Sequence, residues 1–120
     1  MAKIIITYRD LDAWKVSMDL VVDVYKMTND FPKHEQYGLV SQIRRAVVSI
    51  PSNIAEGKSR KGSKEFLHHL SITNGSLSEL ETQLILAVRL GYIDKISAEE
   101  IWKKCQTAGK LINGLIRSMK

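Results

Sequence analysis

Apolar residues return at three- and four-residue steps along almost the whole chain, the period of helices that bury one face. The clearest run passes through Leu39, Ile43, Ala46, Val47, Ile50 and Ile54. Its continuity across Pro51 predicts one helix from about Gln36 to about Gly57 that runs through the proline with a kink. The ring there leaves the carbonyl of Val47 without its usual donor. Gln42, Ser49 and Glu56 stand at heptad spacing along the edge of that face with Asn53 beside them, a polar seam that must find hydrogen bonds if it is buried. A structural network around the proline outweighs a ligand-binding seam, because no small-molecule chemistry elsewhere in the chain converges on it.

Before this run, a helix is expected to start after Asp10, a capping residue, and to reach about Asn29, ahead of Phe31-Pro32. It carries two apolar sets. Leu11, Trp14, Met18, Val21, Val22 and Tyr25 read as the core face, while Ala13, Val16, Leu20, Val24 and Met27 lie nearly opposite. A third helix should run from a Ser63 cap to Gly91, with a core stripe of Phe66, Leu70, Thr73, Leu77, Leu80, Leu84 and Val88 and a weaker stripe of Ile72, Leu86 and Leu90. Gly75 is a candidate for close approach of another helix. A fourth helix should open at Ser97-Ala98-Glu99-Glu100, which has the form of a capping box, and bury Ile101, Cys105, Ala108, Ile112, Leu115 and Met119. The β-branched Ile4-Ile5-Ile6-Thr7-Tyr8 reads as a short extended arm. The prediction is all-α: a single domain over residues 1–120, an antiparallel up-down-up-down four-helix bundle.

The spare stripes bear on association. A bundle that buries one face per helix leaves Val16, Leu20, Val24 and Met27, with Ile72, Leu86 and Leu90, as the predicted surface between subunits. The alternative is a first helix wrapped on two sides within its own chain.

With 120 residues and 44% hydrophobic content, the chain can bury a core without staples. Its lone cysteine, Cys105, falls on an apolar helix face and reads as a buried hydrophobe, which fits a reducing cytoplasm. The apolar start is too short for a signal peptide, and no membrane span is expected. A net charge of +5 favours polyanionic partners. Between Arg44 and Lys64 stand six cations, Arg44, Arg45, Lys58, Arg60, Lys61 and Lys64, against Glu56 alone. Farther on, Lys103, Lys110 and Arg117 recur every seven residues opposite the apolar face, with Gln106 and Asn113 beside them. Such a stripe suits phosphates spaced along a backbone, although any solvated helix also shows charges opposite its core. Stacking aromatics are not evident, which disfavours base-specific single-strand recognition.

Catalytic signals are weak. Glu65 and His68 have the Glu-x-x-His spacing of di-iron bundles, but the further ligands are absent. His68 and His69 point in different directions, and His34 stands in a loop without a visible partner. Ser49 and Ser52 lack a histidine nearby in sequence. No cofactor, metal or catalytic residue is expected.

Taken together, the run from Gln42 to Gly57, Leu11-Asp12-Ala13-Trp14-Lys15, the segment Phe31 to Leu39, Lys64-Glu65-Phe66 and Gly75 to Leu84 resemble the bacterial four-helix-bundle family of proteins encoded in intervening sequences of 23S ribosomal RNA genes. One departure is Thr73-Asn74-Gly75-Ser76, where the family commonly has Ala-Arg-Gly-Ser, so a basic side chain is missing at position 74. The resemblance implies small basic proteins assembled as rings, commonly pentamers, with no catalytic constellation. It extends to the accessory subunit of the reverse transcriptase of diversity-generating retroelements. The expected function is a non-enzymatic oligomer that contacts RNA or another nucleic acid through the nine cations named above. The alternative is a protein-binding scaffold or accessory subunit of a nucleic-acid enzyme, without direct nucleic-acid contact.

Overall fold

The computed structural model describes residues 7–120. Four helices carry the fold: α1 (Asp12–Thr28), α2 (Leu39–Ser59), α3 (Ser63–Arg89) and α4 (Lys95–Ser118). Contacts run from α1 to α2, α2 to α3, α3 to α4 and back from α4 to α1, the neighbour pattern of an up-down-up-down bundle. Its extents are 44 × 28 × 20 Å, the longest close to the roughly 40 Å of the 27-residue α3. One end gathers the α2–α3 loop, the start of α1 and the last turn of α4. Ile4, Ile5 and Ile6 of the predicted arm lie outside the described residues. Thr7 caps a single 3-10 turn, Tyr8–Asp10, in a reciprocal box with Asp10, and Tyr8 packs edge-on against Trp14 with centroids 5.5 Å apart.

α2 runs through Pro51, and every predicted apolar residue of this helix is buried. It starts at Leu39, later than expected, because residues 33–35 form a separate 3-10 turn after Pro32. Glu35 from that turn accepts the Leu39 N–H (3.2 Å) and the Tyr92 hydroxyl (2.7 Å), which fastens the α1–α2 connection to the α3–α4 loop. The predicted α3 core stripe is buried apart from the half-buried Val88.

Helix one departs in part from the expected faces. Leu20 and Val24 are both 0% exposed and belong to the core of their own chain, with Ala13, whereas Val16 and Met27 pack half-buried against it. Leu20 and Val24 thus lie in the monomer's interior and not on the expected subunit interface. Of the expected core face, Leu11 is buried and Trp14 and Val21 pack against the core, whereas Met18 at 41%, Val22 at 51% and Tyr25 at 39% exposure point outward. Hydroxyls hid the true face: Ser17 and Thr28 are buried in it, donating to the carbonyls of Ala13 (2.6 Å) and Val24 (2.9 Å). A buried Ser or Thr satisfied by its own helix carries little penalty, but it interrupts an apolar stripe.

Smaller corrections concern caps and glycines. Leu11, not Asp10, is the N-cap of α1, and Gly62, with φ +100°, precedes α3 where a Ser63 cap was expected. α4 begins two residues before Ser97, with Asp94 as the N-cap accepting the Ser97 N–H and hydroxyl, both at 2.8 Å. Gly75 faces open space. The close approach occurs at Gly57, where an added Cβ would come within 2.6 Å of His69 Cβ, and more mildly at Gly109 against Leu77.

Candidate nucleic-acid interface

The predicted polar seam joins α2 to α3. Ser49 and Ser76 hydroxyls lie 2.8 Å apart, and Asn53 Nδ2 donates to both the carbonyl (2.9 Å) and the hydroxyl (3.0 Å) of Ser49. Its two hydrogens thus used, Asn53 turns Oδ1 toward His69 Nδ1 at 3.0 Å, which makes that ring nitrogen the donor. The amide stands between serine and imidazole, so the pair is not a nucleophile and its base. His69 was not foreseen in this network. Its signal was the heptad His69, Ser76, Gln83 on α3, facing Gln42, Ser49 and Glu56 on the antiparallel α2. Gln83 is buried, and its Oε1 finds no hydrogen-bond partner among the described residues.

The nine candidate cations separate into groups. Arg44 is committed internally: Nε donates to Thr28 Oγ1 (2.9 Å), Nη2 to Asn29 Oδ1 (3.0 Å) and the Tyr25 carbonyl (3.3 Å), and the guanidinium lies 4.5 Å from the Tyr25 ring centroid. It closes the C-terminal turn of α1 onto α2, where a cation also meets the negative helix end. Arg45 is exposed on the outer side of α2. Lys103 is exposed in the first half of α4.

The rest converge. The α2–α3 loop carries Lys58, Arg60, Lys61 and Lys64, all exposed, and a surface hollow lined by Lys58, Arg60, Gly62 and Ser63 is completed by Leu115, Ser118 and Met119 of the α4 end. Arg117 and Lys110 extend this basic end back along α4, where they line a groove of about 510 Å³ between α3 and α4. Loop and helix-four cations, about 50 residues apart in sequence, thus share one end of one chain. Arg44 stands at the opposite end of the bundle, as its spacing from Lys58 anticipated.

Within this basic end, Arg60 is paired to Glu56 (3.3 Å), both half exposed, and Lys58 Nζ lies 5.7 Å from the Phe66 ring centroid. Such exposed pairs are weak and exchangeable. α3 begins there without a side-chain cap, so its first N–H groups and positive dipole end face the same hollow. Glu65 and His68 are exposed, and no group of three metal-ligating side chains occurs among the described residues. Burial, with a contribution from Glu81, pushes the Cys105 thiol up to about 12, so it stays protonated as a hydrophobe of the core. No described helix is long and apolar enough to cross a membrane.

Known proteins give this geometry its setting. No curated protein matches the chain. A crystal structure of a protein of unknown function from the S23 ribosomal protein family of Bacteroides thetaiotaomicron VPI-5482 superposes with a TM-score of 0.78 at 25% identity, covering 87% of this chain and 97% of that one. The sequence profile of the 23S rRNA-intervening sequence proteins matches residues 9–114, from the turn before α1 to the last turns of α4. With three helices and most of the fourth inside that match, the chain belongs to the 23S rRNA-intervening sequence protein family.

Proposed function

We propose that this protein is a non-enzymatic, oligomeric nucleic-acid-binding protein that holds RNA by its phosphates at the basic end of the bundle. The observation that carries this reading is the hollow that joins Lys58 and Arg60 of the α2–α3 loop, which also carries the exposed Lys61 and Lys64, to the end of α4. These loop cations and the uncapped start of α3 then act on one stretch of backbone. Arg44 leaves the binding set, since freeing its guanidinium would break three hydrogen bonds.

Association is assigned to the outward stripe of α1, Met18, Val22 and Tyr25, with Val48 of α2 beside it; Ile72, Leu86 and Leu90 of α3 keep their place in the interface set because they are exposed. These two surfaces differ, so pairing one with the other in a neighbouring copy is heterologous and gives a ring where the rotation closes, with a pentamer the expected size. A ring repeats the basic end and multiplies weak phosphate contacts.

The triple variant Arg60→Ala, Lys61→Ala, Lys64→Ala tests the reading by fluorescence anisotropy on labelled RNA across a salt series. Affinity should fall, and the slope of log affinity against log salt should flatten by about 2. Thermal stability should hardly change, because exposed cations contribute little to folding. A wild-type protein that binds neither single-stranded nor duplex RNA or DNA at low salt would leave the protein-scaffold reading in its place.

A further inference from the structure

The α3–α4 groove offers more than charge. Its walls are Asn74, Ser78 and Glu81 on α3 and Gln106, Lys110, Asn113 and Arg117 on α4, over a floor that includes Leu77, Cys105 and Gly109. Two side-chain bridges cross it: Asn74 Nδ2 donates to Asn113 Oδ1 (3.0 Å), and Gln106 Nε2 donates to Glu81 Oε2 (2.9 Å). Each bridge uses half of each amide. Asn113 Nδ2 is left as a donor, with Asn74 Oδ1 and Gln106 Oε1 as acceptors, and none of these has a partner among the described residues. Neighbouring donors and acceptors on carboxamides match the edge of a nucleobase, which presents the same alternation.

Lys110 and Arg117 flank Asn113 at roughly 4.5 and 6 Å along the helix axis; neither forms a salt bridge of 4 Å or less among the described residues, while Asp10 and Asp12 share a second hollow with Lys110. They place cations where the phosphates on either side of a bound base would run. The floor adds no charge, because Cys105 is a neutral thiol. The groove is a surface hollow of about 510 Å³ over the packed α3–α4 contact, large enough for the edge of one base. We infer that this groove binds an unpaired nucleotide of a single strand, reading its edge with Asn74, Asn113 and Gln106 while Lys110 and Arg117 hold the flanking phosphates. The inference rests on the phosphate-binding reading above and adds single-strand and base preference to it. Hydrogen-bonding edges replace the stacking aromatics that the sequence lacks.

The test compares short labelled single-stranded RNA homopolymers with a matched duplex, using wild type, Asn74→Ala/Asn113→Ala and, as a second independent change, Gln106→Ala. Wild type should favour single strands and discriminate among the homopolymers. Both variants should lose about tenfold in single-strand affinity and most of the discrimination, with the salt slope and duplex affinity unchanged. Variants that keep single-strand affinity and base preference would overturn the groove assignment while leaving phosphate binding at the basic end intact. Absence of any RNA binding by wild type at low salt would remove both. A changed subunit number in either variant, measured by native mass, would also overturn the inference by making the groove a protein interface.

Discussion

Leu20 and Val22 occupy the same helix and have similar apolar character, yet one is sealed in the core and the other is half exposed. Leu20→Ala should therefore cost about 3 kcal/mol in urea denaturation, the transfer term plus a cavity, whereas Val22→Ala should cost under about 1 kcal/mol in the dissociated chain. Equal losses would restore the face first read from the sequence. The glycines separate in the same way. Gly57→Ala drives a methyl group against His69 Cβ and the Phe66 ring, so it should lower stability by about 1–3 kcal/mol. Gly75→Ala meets nothing and should raise stability by about 0.5–1 kcal/mol through helix propensity. The sequence reading chose Gly75 for the close approach and the structure places it at Gly57, because only the neighbouring helix distinguishes the two.

At the scale of elements, two carboxylates fix helix starts at the end of the bundle remote from the basic loop. The Tyr92 hydroxyl and then the Leu39 N–H hold Glu35 below its ordinary range, and the backbone and hydroxyl of Ser97 do the same for Asp94. A carboxylate with a depressed folded-state value stabilises the fold above its unfolded value and loses that contribution as pH falls through the folded one. Stability should thus decline below about pH 4. Tyr92 has the opposite sign: its hydroxyl bond to Glu35 raises it, so this contribution is complete below about pH 10 and fades as the pH climbs through the folded value. Tyr92→Phe should flatten the alkaline limb of a thermal-melt series and weaken the acid limb, while Asp94→Ala should weaken only the acid limb. Matching wild-type profiles would reject both caps as pH-sensitive supports. The sequence pointed to Ser97 as the cap of α4, but Asp94, three residues earlier, accepts the Ser97 N–H and starts the helix first, which places Ser97 inside the first turn.

For the whole molecule, the outward stripe on α1 is where the proposed association is tested. Met18→Glu with Val22→Glu should dissociate the oligomer in native mass measurement and light scattering while leaving helical circular dichroism intact, because both side chains already reach solvent. The paired change Leu20→Glu with Val24→Glu, aimed at the stripe first expected between subunits, should unfold the chain instead, since it buries two unpaired charges. An unchanged subunit number in the Met18/Val22 variant would move the interface elsewhere, with the exposed Ile72, Leu86 and Leu90 of α3 next to be replaced.

By itself the sequence determined the number of helices, the passage of α2 through Pro51, the α3 core stripe, the buried cysteine and the polar seam. Each of these follows from local spacing, and a three- to four-residue period with its caps is a property of contiguous residues. Which of two apolar faces of α1 is buried is not a local property. It depends on whether Ser17 and Thr28 can return their hydroxyls to the helix and on where α2 and α4 lie. The joining of the α2–α3 loop to the end of α4, the commitment of Arg44 to Thr28 and Asn29, and the amide-lined groove likewise arise between segments distant in the chain. Only packing brings such groups together, because hydrogen bonds and fields act over a few ångströms in space and take no account of separation along the sequence.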